Sequence, residues 1–451
     1  MNTRRIPRRS RVGAALIFGA AALTGCDFIE STALDPNAVP SATLDQLFTG
    51  VQVNTFYVSE SQIARLAAMW TQQMAGTDRQ FATLDQYIFT EEEADGEFNS
   101  IYGGGGLIDI RNGILLAEDQ GRTTYAAILK IHEAYLIGMA ASVFGALPYS
   151  EAVDPDVTDP ALDDQLAIYD MVQTRLDEAI AELQGGTGSG PGLVDLNFGG
   201  DVAAWTAVAW TLKARFYLHT AEVDGLPAYQ AALQAAQNGI MDPSNNWTTV
   251  HSTAATEQNL WYQFQRDRSG YISAGDYLIP LMIAENDPRL PFYYSAVDGN
   301  ILPRQSGLSE LGYGGRDFNI PIVTCAENEY IRAEALYETG DEAGARSAAE
   351  SGLACQEQRW DVDLSGYADN LPGVTGADLL EEIIEQKYTA LFLNIEVWND
   401  YKRTCYPAIT PKAAGGVPPR LFYGQTERQT NSNIPVPANQ QDRNENDPNP
   451  C

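Results

Sequence analysis

Between Thr123 and Gly145 the chain reads TTYAAILKIHEAYLIGMAASVFG, with Tyr125, Ile128, Leu129, His132, Tyr135, Leu136 and Met139 recurring at helical spacing. A stripe this long demands a helix packed along its length against other helices. Gly145 is the residue a helix end favours, and Pro148 forbids continuation, so Phe144 and Tyr149 would staple an elbow to the scaffold. The same period returns in SATLDQLFTGVQVNTFYV, where Leu44, Leu47, Phe48 and Val51 share a face behind Ser41 as a candidate N-cap. It returns again in SQIARLAAMWTQQMAG, with Ile63, Leu66, Ala67 and Trp70 before Gly76, and in DDQLAIYDMVQTRLDEAIAEL. GADLLEEIIEQKYTALFLNIEVWNDYKR reads as one long helix. GEFNSIYGGGGLIDIRNGILLAEDQ also reads as helix, its glycines at 103–106 either weakening it or letting another backbone approach closely.

Some helices come in pairs. GDVAAWTAVAWTLKARFYLHTAE precedes PAYQAALQAAQNGI, a large-residue helix facing a small-residue one. Residues 328–353, NEYIRAEALYETGDEAGARSAAESGL, repeat the pattern with a Gly-Asp turn and with alanines where helices must pack closely. The spacing matches a tetratricopeptide-like unit of about 34 residues. The expected fold class is therefore all-α, with tetratricopeptide-like helical hairpins as scaffold and long irregular loops forming a ligand face. From about 243 to 323 the period gives way to aromatic- and proline-rich loops with little helix.

The N-terminus is of another kind. MNTRRIPRRSR carries five arginines and no acid, and the apolar run from Val12 to Leu23 is too short to span a bilayer. Basic, apolar and small-residue regions in that order make a secretory signal. LTGC, ending at Cys26, resembles the bacterial lipobox, after which the cysteine is lipidated as the first mature residue. No other segment reads as long and apolar enough to cross a membrane. The expected organisation is a leader over 1–25 and one domain over 26–451, divided into helical 26–240, loop-rich 241–323, and helical 324–451 with the tail. Losing the leader takes the formal charge from −32 to −37, since only its five arginines go. Such a surface repels nucleic acid and anionic head groups and suits neutral or cationic ligands.

Besides Cys26 there are Cys325, Cys355, Cys405 and Cys451. In an exported protein an even number points to disulfides, and four cysteines allow three connectivities. Cys325 and Cys355 flank one helical hairpin, and Cys405 with Cys451 would tie down the tail. No C-x-x-C spacing or Cys/His cluster suggests a metal, and no motif implies a cofactor. His132 and His219 lie in aromatic-rich helices where a satisfied core histidine is the better reading; His251 falls in a loop without an evident partner. No G-x-S-x-G elbow, HExxH, Walker loop or dinucleotide fingerprint occurs, so a binding protein is expected, not an enzyme.

Several segments in order resemble the SusD/RagB family of nutrient-binding outer-membrane lipoproteins. They are the lipobox at Cys26, DPNA at 35–38, FGALPYSEA at 144–152, AWTLKARFYLHTA at 209–221 and NDPRLPFYY at 286–294. EYIRAEALYETGD at 329–341, LFLNIEVWNDYKRTCYP at 391–407 and RQTNSNIPVPAN at 428–439 complete the set. Ala146 departs from the family, which often has an acid in the elbow. The resemblance implies a lipid-anchored protein on the outer face of the outer membrane. It would hand a glycan to a TonB-dependent, SusC-like transporter.

A sugar site wants aromatic platforms ringed by polar groups. Two loop stretches supply them. Residues 70–89 bring Trp70, Gln73, Arg79, Phe81 and Tyr87 to a region where the family places part of its site. Residues 245–277 add Trp261, Tyr262, Arg266 and Tyr271. Trp70 and Trp261 suit core or contact equally, and Phe264 suits core. Two other readings stand beside the glycan: a peptide ligand, as in the RagB branch, and a self-assembling surface structural protein, whose only hint is the terminal Cys451.

Overall fold

The long periodic segments become the long helices. In the computed structural model, which describes residues 42–451, Leu44–Cys451 form one compact unit. The leader, Cys26, the 35–38 segment and Ser41 lie outside the described residues. In chain order come α1 (Leu44–Glu60), α2 (Gln62–Trp70), β1 (Met74–Gly76), α3 (Asp95–Tyr102), α4 (Leu107–Asp119), α5 (Thr123–Phe144) and α6 (Gln165–Gly185). Then follow α7 (Val202–His219), α8 (Leu226–Ala236), β2 (Trp247–Thr248), α9 (Leu260–Asp267), β3 (Ile272–Ala274) and β4 (Pro321–Val323). The last are α10 (Cys325–Glu338), α11 (Glu342–Trp360), α12 (Ala377–Ala390) and α13 (Glu396–Thr404). Shorter helical turns fill the connections.

The scaffold is helical and built of neighbouring pairs: α4 and α6 against α5, α7 against α8, α10 against α11. By length and composition α5 could cross a bilayer, contrary to the sequence expectation for this segment. Its apolar window is wholly buried inside the protein, so it is the central core helix. Gly145 ends it at φ 84°, and Phe144 and Tyr149 are buried behind the elbow, with Tyr149 Oη donating to Glu133 at 3.1 Å. Gly138 lets α7 approach, since a Cβ there would stand 2.3 Å from Cζ of Phe216. Gly138→Ala is therefore expected to lower stability by about 1–3 kcal/mol, the usual cost of overpacking. An unchanged urea midpoint would mean that the two helices separate freely.

Two expected helices are each broken. Residues 103–106 leave the helix because Gly105, at φ 78°, passes α1 so closely that a Cβ would lie 2.5 Å from the Gly50 carbonyl oxygen. The segment over 376–403 divides into α12 and α13, with Leu393 between them at φ 64°. Cys325 is bonded to Cys355 and Cys405 to Cys451. The tail cysteine is thus engaged within the chain, which removes the hint of self-assembly.

Candidate functional site

The two aromatic loop stretches meet through a two-stranded antiparallel sheet, in which Met74 faces Ala274 and Gly76 faces Ile272. Much of what they carry is core. Trp70 is fully buried against Trp398 and Phe89, and its indole N–H donates to the Leu84 carbonyl at 3.0 Å. Gln73 is spent on backbone, donating to Tyr388 O at 2.8 Å and accepting from the Leu393 N–H at 2.9 Å. Phe81 packs edge-on to Phe264, and Trp261 is fully enclosed. These four side chains are closed to a ligand: the three aromatic ones are packed into the core, and Gln73, in the turn before β1, is buried and held by backbone.

The other five candidates keep some surface. Arg79 is exposed and pairs with Asp78 at 3.6 Å. Tyr87 accepts from the Lys412 N–H, beside a cluster in which buried Asp85 takes Lys412 at 2.5 Å and Arg304 at 3.1 Å. Arg266 grips Asp267 and reaches Gln258 at 3.0 Å. Tyr262 lies under Arg266 and Arg316, and Tyr271 leans on Phe81. None of the nine lines the groove that this region does form.

That groove consists of three adjoining depressions. The outer one, of about 500 Å³, is walled by Asn197, Phe198, Thr248, Asn319, Gln358 and Arg359. It shares Leu196 and Val250 with a middle one of about 480 Å³, whose floor is α1. The middle shares Tyr57, Leu260 and Gln263 with an inner bay of about 290 Å³ that contains Arg65, Glu97 and Arg268. Helix α1 explains the floor. Phe48, Val51 and Val58 are buried, whereas Thr49, Val53 and Tyr57, four residues apart, point the other way. Val53 is 57% and Tyr57 37% exposed, an apolar strip that no described residue covers.

The loop over 250–258 forms one wall and is fastened from below. His251 meets Glu60 at 2.6 Å through Nε2 and the Glu257 carbonyl at 3.1 Å through Nδ1. The partnerless histidine expected from sequence is therefore a clasp between loop and helix. Burial pushes its pKa down, but the hydrogen bond and charge of Glu60 outweigh this and hold it above the ordinary value. Glu60 is itself occupied, its second oxygen accepting the Leu260 N–H at 3.0 Å. Ser252 Oγ ties back to Glu257 at 2.6 Å. The groove thus offers an aromatic and aliphatic floor with amide-bearing walls, in which Gln258 and Gln263 face the middle depression and Asn197, Asn319 and Gln358 the outer one. Such a surface receives ligands with apolar faces and hydroxyl edges. Among the described residues no cluster of three His, Cys, Asp or Glu side chains suits a metal ion.

The stretch over 245–277 does contribute to the groove, through Val250, Gln258, Gln263 and Arg268 in place of its tryptophans. The floor is hard to see in sequence because α1 carries two stripes, and the more apolar one, with Leu44, Phe48 and Val51, dominates the pattern. The signal was present in the four-residue spacing of Thr49, Val53 and Tyr57.

Residues 36–423 match the SusD-like family model, described as starch-binding and associating with the outer membrane. No curated protein matches the chain. A chitin-binding SusD homologue from Flavobacterium johnsoniae is 20% identical over 90% of this chain and 99% of its own, with a TM-score of 0.73. A SusD/RagB family protein from Bacteroides thetaiotaomicron is 20% identical over 91% and 98%, with a TM-score of 0.71. A SusD homologue from Bacteroides fragilis is 19% identical over 90% and 97%, with a TM-score of 0.73. At these identities the likeness is one of fold.

Proposed function

Because the chain belongs to the SusD-like family, whose members are described as starch-binding and associating with the outer membrane, we propose that it captures an oligosaccharide in this groove. It then delivers the sugar, without chemistry, to a TonB-dependent, SusC-like transporter. The observation that carries the reading is the uncovered strip of Thr49, Val53 and Tyr57 between amide-bearing walls. Pyranose rings present C–H faces that stack on such a strip and hydroxyls that reach amides at its edges. The basic, apolar and LTGC segments ending at Cys26 support lipid anchoring at the outer membrane, with the groove on the cell's outer face.

Calorimetry against a panel of oligosaccharides tests this directly. Saturable binding is expected, and Tyr57→Ala is expected to weaken it about tenfold, the worth of one aromatic contact of about 1.4 kcal/mol. Equal affinity in that variant would move the site elsewhere. Saturable binding of peptides, with no sugar bound, would turn the reading to the peptide-binding branch. Co-purification with a TonB-dependent transporter tests the delivery step, and its absence from membranes that contain both proteins would remove it.

A further inference from the structure

In a protein with 60 acids and 28 bases, every cation should find a carboxylate. Among the described residues every lysine and arginine does reach a carboxylate or carbonyl oxygen of the protein, except Arg65, Arg268, Arg316 and Arg359. No carboxylate oxygen of the described residues lies within 4.0 Å of these four. Three of them line the groove: Arg65 and Arg268 in the inner bay, Arg359 in the outer depression. The fourth, Arg316, covers Tyr262 on α9, which also supplies Leu260 and Gln263 to the groove.

Each is held by an aromatic ring. Arg65 stands 4.6 Å and Arg268 5.6 Å from the centroid of Phe264, Arg316 5.5 Å from Tyr262, and Arg359 5.0 Å from Trp360. Stacking orients a guanidinium without neutralising it and leaves its N–H groups free for a ligand. The acids in the bay are already engaged. Glu97 accepts from the Gln62 N–H at 2.9 Å and from Tyr57, and Asp267 is forked by Arg266. Arg65 Nε and Ser61 Oγ, both buried in the bay, have no hydrogen-bond partner. Burial, with a smaller push from Arg268, pulls the Arg65 guanidinium down to about 10, and the more distant charges of Glu97 and Glu60 only partly offset it.

Resting on the oligosaccharide reading above, we propose that the groove selects an anionic glycan. The oxyanion, a uronate carboxylate or a sulfate ester, would sit on Arg65 and Arg268 in the inner bay, with Arg359 meeting a second charge along the chain. A planar guanidinium matches either group through paired N–H donors. The protein's net negative charge does not forbid this, since acids beyond about 8 Å are screened at physiological salt.

The test measures binding of glucuronate-, galacturonate- and mannuronate-containing hexasaccharides, each against its methyl-esterified form, together with a sulfated galactan hexasaccharide and its desulfated form. One member of at least one pair should bind at least tenfold tighter when charged. That preference should fall several-fold in Arg268→Gln and in Arg359→Gln, both of which remove exposed or partly exposed side chains. Arg65→Gln should remove most of it, with circular dichroism reporting whether the variant is folded. Preference among the uronates or for the sulfated chain identifies the oxyanion. Equal or tighter binding of the neutral forms overturns the anionic selection and leaves the glycan reading standing. Binding of no sugar in either form overturns both.

Discussion

Glu327→Ala is expected to cost about 3–5 kcal/mol of folding free energy, the usual penalty for leaving one partner of a buried ion pair behind. Arg215 on α7 is 3% and Glu327 on α10 0% exposed, and they join through two bonds of 2.6 and 2.7 Å. The same guanidinium donates to the Ile322 carbonyl at 2.7 Å, just before α10 begins. Without Glu327 its nearest carboxylate is Glu396, 3.8 Å away and already bonded to His219 at 2.7 Å. Burial works against the Arg215 charge, and the two glutamates overcome it, holding the guanidinium above its ordinary pKa. Glu327→Ala therefore strands a cation among helices, whereas Arg215→Met combined with Glu327→Leu should recover most of the loss. Urea unfolding reads both. A loss under about 1 kcal/mol in Glu327→Ala would show that water or a rotated Glu396 replaces the pair.

This pair also shows where sequence reading stops. The helices carrying Arg215 and Glu327 were legible, because a stripe such as Tyr125, Ile128, Leu129 and His132 has one helical solution. The 112-residue separation between Arg215 and Glu327 has no periodic signature. The broken helices failed for a related reason. Glycines at 103–106 admit either reading, and only the approach of Gly50 decides between weak helix and close crossing. In the site, Trp70 and Trp261 lie on helices whose buried side is set by what packs on them, so composition alone left them undecided. The cysteines were better placed, since two flank a hairpin visible in sequence. Charge was the least legible quantity. A net −32 points to neutral or cationic ligands, yet whether a given arginine is paired belongs to tertiary structure. The four unpaired arginines are scattered from 65 to 359, and the fold brings three of them to one groove.

Acid sensitivity should begin near neutral pH, well above the range where carboxylates titrate, and His132 is the reason. Its ring is fully buried, with Phe48, Trp205 and Trp247 centred 5.0–5.6 Å away. Nδ1 lies 2.9 Å from Thr55 Oγ1, whose own hydrogen goes to the Val51 carbonyl at 2.9 Å. The imidazole must then carry its proton on Nδ1 and present a bare Nε2, which has no partner. A second proton would place an unpaired charge in this aromatic cage, so burial pushes the pKa down to about 3 from 6.5. The unfolded chain takes up that proton below pH 6.5 and the folded one does not, so stability is lost as pH falls from 6.5 toward 3. By pH 4 the loss is about 3 kcal/mol. His251 acts in the opposite direction, since its raised pKa adds stability that is complete below pH 6.5 and fades as pH rises through the folded value. Glu396, which His219 and Arg215 hold low despite its burial, joins His132 once pH falls through the ordinary glutamate value. His132→Phe keeps a ring in the cage and has no proton to take up. It should flatten the stability profile between pH 6.5 and 4.5, measured by urea unfolding at each pH. An unchanged slope in that variant would assign the titration to another group.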